Sequence, residues 1–160
     1  MRWFSPVTFL LKPLIRHDQE TKRSRVEDRL PRSQLRPEHV SRCRVLLDRE
    51  ALLAELPPGG VGAELGVDQG DFTETILRVA RPRHLHLVDS WATRRYNDDK
   101  ARRVQDRFAA QIEAGQVSIH RGLSLEAASG FADASLDWVY IDSSHAYDVT
   151  AAELRAYAPK

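Results

Sequence analysis

Val61-Gly62-Ala63-Glu64-Leu65-Gly66-Val67-Asp68-Gln69-Gly70-Asp71-Phe72-Thr73 is the stretch whose reading decides the fold. It reads as a short buried strand around Gly62–Gly66, a glycine-punctuated turn, and a helix from about Phe72 to Val79. Gly66 and Gly70 flank the turn, and a residue without a Cβ lets the backbone approach a ligand closely. Asp71 stands where a helix N-cap belongs and has capping-box spacing to Glu74.

Downstream, the pattern alternates between periods of two and of about four. His84–Asp89, Gln116–His120 and Leu136–Ile141 read as further strands. Residues 98–114, Leu125–Phe131 and Tyr147–Tyr157 read as helices. On the 98–114 helix Ala101, Val104, Phe108 and Ile112 share one side, which leaves Arg102, Arg103 and Arg107 as a solvated face. Alternating strands and helices imply parallel strands with right-handed crossovers, hence a three-layer α/β sandwich.

Upstream, Val40, Cys43, Leu46, Leu47, Leu53 and Leu56 recur at helical spacing, so a single helix is expected until Pro57-Pro58-Gly59-Gly60 stops it. Cys43 falls on its apolar face and reads as a small core residue. Residues 1–36 read as a basic arm and linker, and residues 37–160 as one domain. Residues 1–44 carry 11 Lys/Arg against 5 Asp/Glu, and residues 45–160 carry 13 against 18. The arm suits an anionic partner or simple solvation. The acidic remainder argues against a nucleic-acid-binding core. A single cysteine excludes an internal disulfide framework and a Cys-rich zinc site, and fits a reducing, cytoplasmic setting. The apolar cluster of residues 1–16 is interrupted by Pro6 and Pro13 and resembles neither a signal peptide nor a membrane span.

In an open α/β sheet, ligands bind beyond the carboxyl ends of the strands. The residues that matter are then Glu64–Gly70, Asp89-Ser90-Trp91, Gly122-Leu123-Ser124 and Asp142–His145. Asp89 lies about 20 residues past the glycine turn, where an acid takes both hydroxyls of a cofactor ribose. Asp68 occupies the middle position of what would otherwise be a pyrophosphate-binding glycine run, and an acid there repels phosphate. A cationic sulfonium tolerates Glu64 and Asp68, so S-adenosylmethionine is favoured over a nicotinamide dinucleotide. His84, His86 and His120 read as structural strand residues, and Trp91 and Tyr96 as cofactor covers or packing aromatics.

Glu-Leu-Gly-Val-Asp-Gln-Gly (64–70), Val-Asp-Ser-Trp (88–91) and Asp-Trp-Val-Tyr-Ile-Asp-Ser-Ser-His-Ala-Tyr (137–147) together resemble class I S-adenosylmethionine-dependent methyltransferases. The last segment is similar to the branch containing macrocin O-methyltransferase and cephalosporin-hydroxylase-like proteins. The resemblance implies a Rossmann-like sheet whose four strands here run in the order 3-2-1-4. It implies cofactor contacts at Glu64, Gly66, Asp68, Gly70, Asp89, Ser90 and Ser124. It also implies O-methylation of a small-molecule or sugar hydroxyl, with Asp142 and His145 catalytic and Asp142 holding Mg²⁺. Asp142 reads equally as an N-cap of the last helix, and His145 as a base, a supporting partner or a packing residue. A complete family member has seven strands, and the turn and acids expected after the last helix lie beyond Lys160. A C-terminally incomplete chain is therefore expected, with the Leu136–Ile141 strand as an exposed apolar edge able to pair with a second copy. The alternatives are a non-catalytic cofactor-binding or interaction module and a nicotinamide-dependent oxidoreductase.

Overall fold

Val61–Leu65 forms β1, and every one of its five residues is buried. Such a strand has sheet neighbours on both edges and cover on both faces. In the computed structural model, which describes residues 34–160, those neighbours are β2 (His84–Asp89) and β4 (Trp138–Ile141). β3 (Val117–Arg121) pairs with the outer edge of β2. All three pairings are parallel, as the alternation of strands and helices implies, and the order is β3-β2-β1-β4, as the family resemblance implies.

The period-two pattern sorts the sheet into two cores. Leu85 and Leu87 face one way, joining Leu53, Ile76, Val104 and Phe108 from the helices on that side. Ala63, Leu65 and Val88 face the other, against Ala128, Phe131 and Tyr157. The first layer comprises α2 (Arg49–Ala54), α3 (Asp71–Val79), α4 (Asp98–Arg107) and α5 (Ala109–Glu113). The second comprises α6 (Ser124–Ala127), a following 3-10 turn (Ala128–Gly130) and α7 (Tyr147–Tyr157). His86 and His120 sit half-buried on the second face. Their ring nitrogens are 2.9 Å apart and Phe131 is edge-on to His86, so they are sheet-packing residues.

Two compact units divide between Cys43 and Arg44. The described part of the first holds only α1 (Pro37–Val40), and the rest of the basic arm lies outside the described residues. The single helix expected over Val40–Leu56 is not formed. Residues 41–48 are non-helical, and helix restarts at Arg49 because the Asp48 side chain accepts from the Ala51 N–H at 2.8 Å. Cys43 is exposed rather than a core residue, and Leu47 is 93% exposed, so only Leu53 of that apolar series is fully buried. The 98–114 helix is likewise split. Phe108, at φ −108° and ψ 19°, leaves helical geometry where its ring packs over Gly70.

Asp71 is not an N-cap. Gly70 takes that position in the left-handed region, at φ 83°, and Asp71 becomes the first helical residue. Its carboxylate accepts from Arg107 at 2.7 Å, and Glu74 pairs with the same guanidinium. Arg107 therefore ties α4 to the start of α3 at the surface, and Arg102, Arg103 and Arg107 are all exposed, as the solvated-face reading expects. β4 has a single sheet neighbour among the described residues, and no described helix is long and apolar enough to cross a membrane.

Candidate functional site

The carboxyl ends of β1, β2, β3 and β4 open onto one cleft of about 620 Å³. Glu64, Gly66, Asp68, Asp89, Ser90, Ser124, Asp142 and His145 all line it. Gly70 does not. A Cβ on Gly70 would meet the Phe108 ring 2.6 Å away, so this glycine lets α4 pack against the start of α3.

Gly66 carries the close approach that the sequence suggests. It lies at φ 90°, a region an L side chain adopts only with strain, and its N–H donates to the Val88 carbonyl at 2.9 Å. A Cβ there would stand 2.6 Å from both the Asp142 carbonyl carbon and the Ser143 Cα. The turn after β1 thus presses against the turn after β4.

The next residues are clamped from β2. The Val67 and Asp68 N–H groups donate to Asp89 Oδ2 at 2.9 and 3.0 Å, and the Trp91 N–H donates to Oδ1 at 3.0 Å. The Trp91 indole returns the clamp by donating to the Asp68 carbonyl at 2.7 Å. Trp91 is buried, so it packs and anchors rather than covering a ligand, while Tyr96 lines the cleft. A carboxylate offers about four acceptor positions, and Asp89 already uses three on backbone. That leaves one acceptor position, on Oδ1, for a ligand. Asp68 is also less bare than its sequence position implies, because Lys100 pairs with its carboxylate.

Glu64 is 1% exposed, and its Oε2 accepts from the Thr73 hydroxyl at 2.5 Å. Burial pushes its carboxyl up to about 8, against the Thr73 bond, and the Asp142 and Asp89 charges push the same way. Between about pH 4.5 and 8 the folded state holds this proton while the unfolded chain has released it, so stability falls as pH rises. The urea midpoint of the wild type is expected to drop across that window, at a limiting slope of about 1.4 kcal/mol per pH unit from this group. Glu64→Gln, which keeps an acceptor for Thr73, is expected to flatten the profile. Parallel profiles for the two proteins would refute this assignment.

Two residues that sequence reasoning missed complete the site. Arg49, from α2, stacks its guanidinium 4.3 Å over the Phe72 ring and lies 3.6 Å from Asp142 Oδ2. Glu153, from α7, is fully buried behind the cleft wall, where its Oε1 accepts from Ser143 at 2.5 Å and from Ser124. No local motif announces Arg49. Glu153 carries a faint signal, since it stands four residues before the buried Tyr157 on the same helix face.

The Mg²⁺ expectation does not fit this geometry. Asp142 stands beside the Arg49 cation, and among the described residues no group of three or more His, Cys, Asp or Glu side chains could hold a metal. A lone carboxylate already facing a guanidinium is a poor site for an ion that needs several oxygen ligands.

Residues 63–160 match the family described as "Methyltransferase domain". No curated protein matches the sequence. Among solved structures, a provisionally named sarcosine dimethylglycine methyltransferase from Galdieria sulphuraria aligns at TM-score 0.51 and 17% identity, covering 68% of this chain and 38% of that one. A provisionally named caffeoyl-CoA O-methyltransferase from Staphylococcus aureus aligns at TM-score 0.51 and 18% identity, covering 94% of this chain and 68% of that one. A provisionally named rRNA methylase from Clostridium thermocellum aligns at 0.51 and 9% identity, covering 66% and 56%. These likenesses establish the fold, and the chain spans 38% and 56% of the Galdieria and Clostridium proteins. The family match covers more than half of the chain and takes in all eight cleft residues named above. This chain belongs to the Methyltransferase domain family.

Proposed function

We propose that the chain is the cofactor-binding part of an S-adenosylmethionine-dependent methyltransferase acting on a hydroxyl of a small molecule. The observation that carries this reading is the single cleft that joins the four strand ends within the family-matched segment. Family membership removes the reason for the nicotinamide alternative.

The residues fit such a cofactor by their chemistry. Gly66 keeps the floor of the turn bare, and the Asp89 clamp holds Val67 and Asp68 in one conformation before any ligand arrives. Preorganisation of this kind lowers the entropy lost on binding. Glu64 provides a buried carboxyl that a cationic ligand would favour in its charged form. When bound, the cofactor supplies an electrophilic methyl group on a positively charged sulfur. The chain's part is then to orient the acceptor and remove its proton. His145, exposed on the loop between β4 and α7 and lining the cleft, is the proposed base. Asp142, held near Arg49, is the proposed orienting group.

Isothermal calorimetry with S-adenosylhomocysteine tests the reading. Binding in the micromolar range to folded protein is expected, with one site per chain. No heat from folded protein at millimolar ligand would remove the proposal.

A further inference from the structure

Arg49 is the only Lys or Arg among the described residues that line the cleft, against six Asp and Glu side chains. An anionic ligand group is repelled along most of such a cleft and has one favourable place in it. That place is built from three elements. Arg49 opens α2, which Asp48 caps and the fully buried Leu53 anchors in the core. Its guanidinium lies over the Phe72 ring of α3, and that ring stands 4.7 Å from the Tyr140 ring of β4.

Stacking uses the face of a guanidinium and leaves its edge of N–H donors free. Along that edge the Tyr140 hydroxyl is 3.4 Å away and Asp142 Oδ2 is 3.6 Å away. Both exceed the roughly 2.7–3.2 Å of a well-formed N–H···O bond. Both are also made by one terminal nitrogen, so the rest of the fork is unspent among the described residues. The ion pair is solvated, with Arg49 62% and Asp142 37% exposed, and a ligand displaces such a pair at small cost. A stacked guanidinium with free donors is preorganised for a planar, two-oxygen anion, which a carboxylate supplies.

Asp142 provides the complementary half. An ionised carboxylate only accepts hydrogen bonds, so a donor and an acceptor stand side by side here. A small ligand satisfies both when it carries an anion and a hydroxyl on neighbouring carbons. We infer that Arg49 is a specificity-determining residue that binds a carboxylate of the methyl acceptor while Asp142 takes the adjacent hydroxyl, so that the acceptor is a 2-hydroxy acid. The inference rests on the assignment of Asp142 to the acceptor made above. The exposure of the pair agrees with it, since the last ligand to enter meets the solvent side of the cleft, whereas Glu64 is buried.

Nuclear magnetic resonance titration of protein saturated with S-adenosylhomocysteine tests this, with the backbone N–H shifts of Ser143 and Ser144 as the readout. Glycolate, the smallest 2-hydroxy acid, is expected to bind saturably in the low millimolar range. Its uncharged counterpart glycolamide and the hydroxyl-free anion acetate are each expected to bind about tenfold more weakly, the scale of one lost charged contact. Arg49→Gln, at an exposed position, is expected to make glycolate and glycolamide equal, and Asp142→Ala to make glycolate and acetate equal. Glycolate that binds no better than glycolamide, or whose preference survives in Arg49→Gln, overturns the inference and leaves the cofactor reading standing. Glycolate that binds the free protein but is expelled by S-adenosylhomocysteine also overturns it, because Arg49 then serves the cofactor's own carboxylate. Failure of S-adenosylhomocysteine to bind, read separately by calorimetry, overturns the two together.

Discussion

Gly66→Ala is expected to destabilise the domain by about 2–6 kcal/mol and to abolish measurable cofactor binding. Two effects add at this position. The residue sits at φ 90°, where a side chain costs about 1–3 kcal/mol of backbone strain. The new methyl group would also stand 2.6 Å from backbone atoms of Asp142 and Ser143, so one of the two turns must move. Such overpacking costs a further 1–3 kcal/mol or so. Against a total stability of about 5–15 kcal/mol, the sum is a large fraction. The binding loss is expected to be complete because the displaced turns are the cleft wall. A urea titration would show the midpoint falling steeply, and calorimetry on whatever folded protein remains would show no heat with S-adenosylhomocysteine. An unchanged midpoint would mean that the turn after β4 yields freely, which contradicts the packing described here.

Asp89→Ala is expected to cost about 3 kcal/mol or more and to weaken cofactor binding by at least about a hundredfold. Three N–H groups, those of Val67, Asp68 and Trp91, lose their acceptor together. Each donor left without a partner in a partly buried setting costs about 1–3 kcal/mol, with the lower value applying wherever water can enter. Asp89→Asn separates the charge from the geometry. Its carbonyl oxygen can still take the Val67 and Asp68 N–H groups, but its amide nitrogen then faces the Trp91 N–H, so the expected cost is near that of one bond. Both variants are to be compared with wild type by urea unfolding and by calorimetry with S-adenosylhomocysteine. Equal, wild-type-like affinity in all three proteins would show that the clamp does not shape the site. The sequence assigns Asp89 to the ribose, whereas the structure makes it first a holder of the turn, with one acceptor position to spare.

The elements legible in the sequence were those set by local periodicity. β1, β2 and β4 alternate or run apolar, and α7 lies within a residue of its expected bounds, because burial on a sheet leaves a short-range imprint. The helix over Val40–Leu56 failed for a physical reason. Apolar spacing raises the stability of a helix only where a core exists to receive the face, and Val40, Cys43 and Leu47 of that face are exposed. The 98–114 helix is interrupted at Phe108, whose ring packs over Gly70, a long-range contact that leaves no local pattern in the sequence.

The sequence by itself determined the parallel α/β order and the set of strand-end residues that meet in the cleft. The helical connections between successive strands make those strands parallel, and chain chirality fixes the hand of each crossover, neither of which needs knowledge of partners. Only the tertiary structure decided what each of those residues does. Gly70 was sent to Phe108, Asp89 to the backbone, Asp68 to Lys100 and Asp142 to Arg49. It also brought Glu153 behind Ser124 and Ser143 from 29 and 10 residues away. Hydrogen bonds and ion pairs reach only a few ångströms, so partners that far apart along the chain leave no pattern in it. The glycine turn names the kind of site, and the contacts made across the strand ends give each of its residues a task.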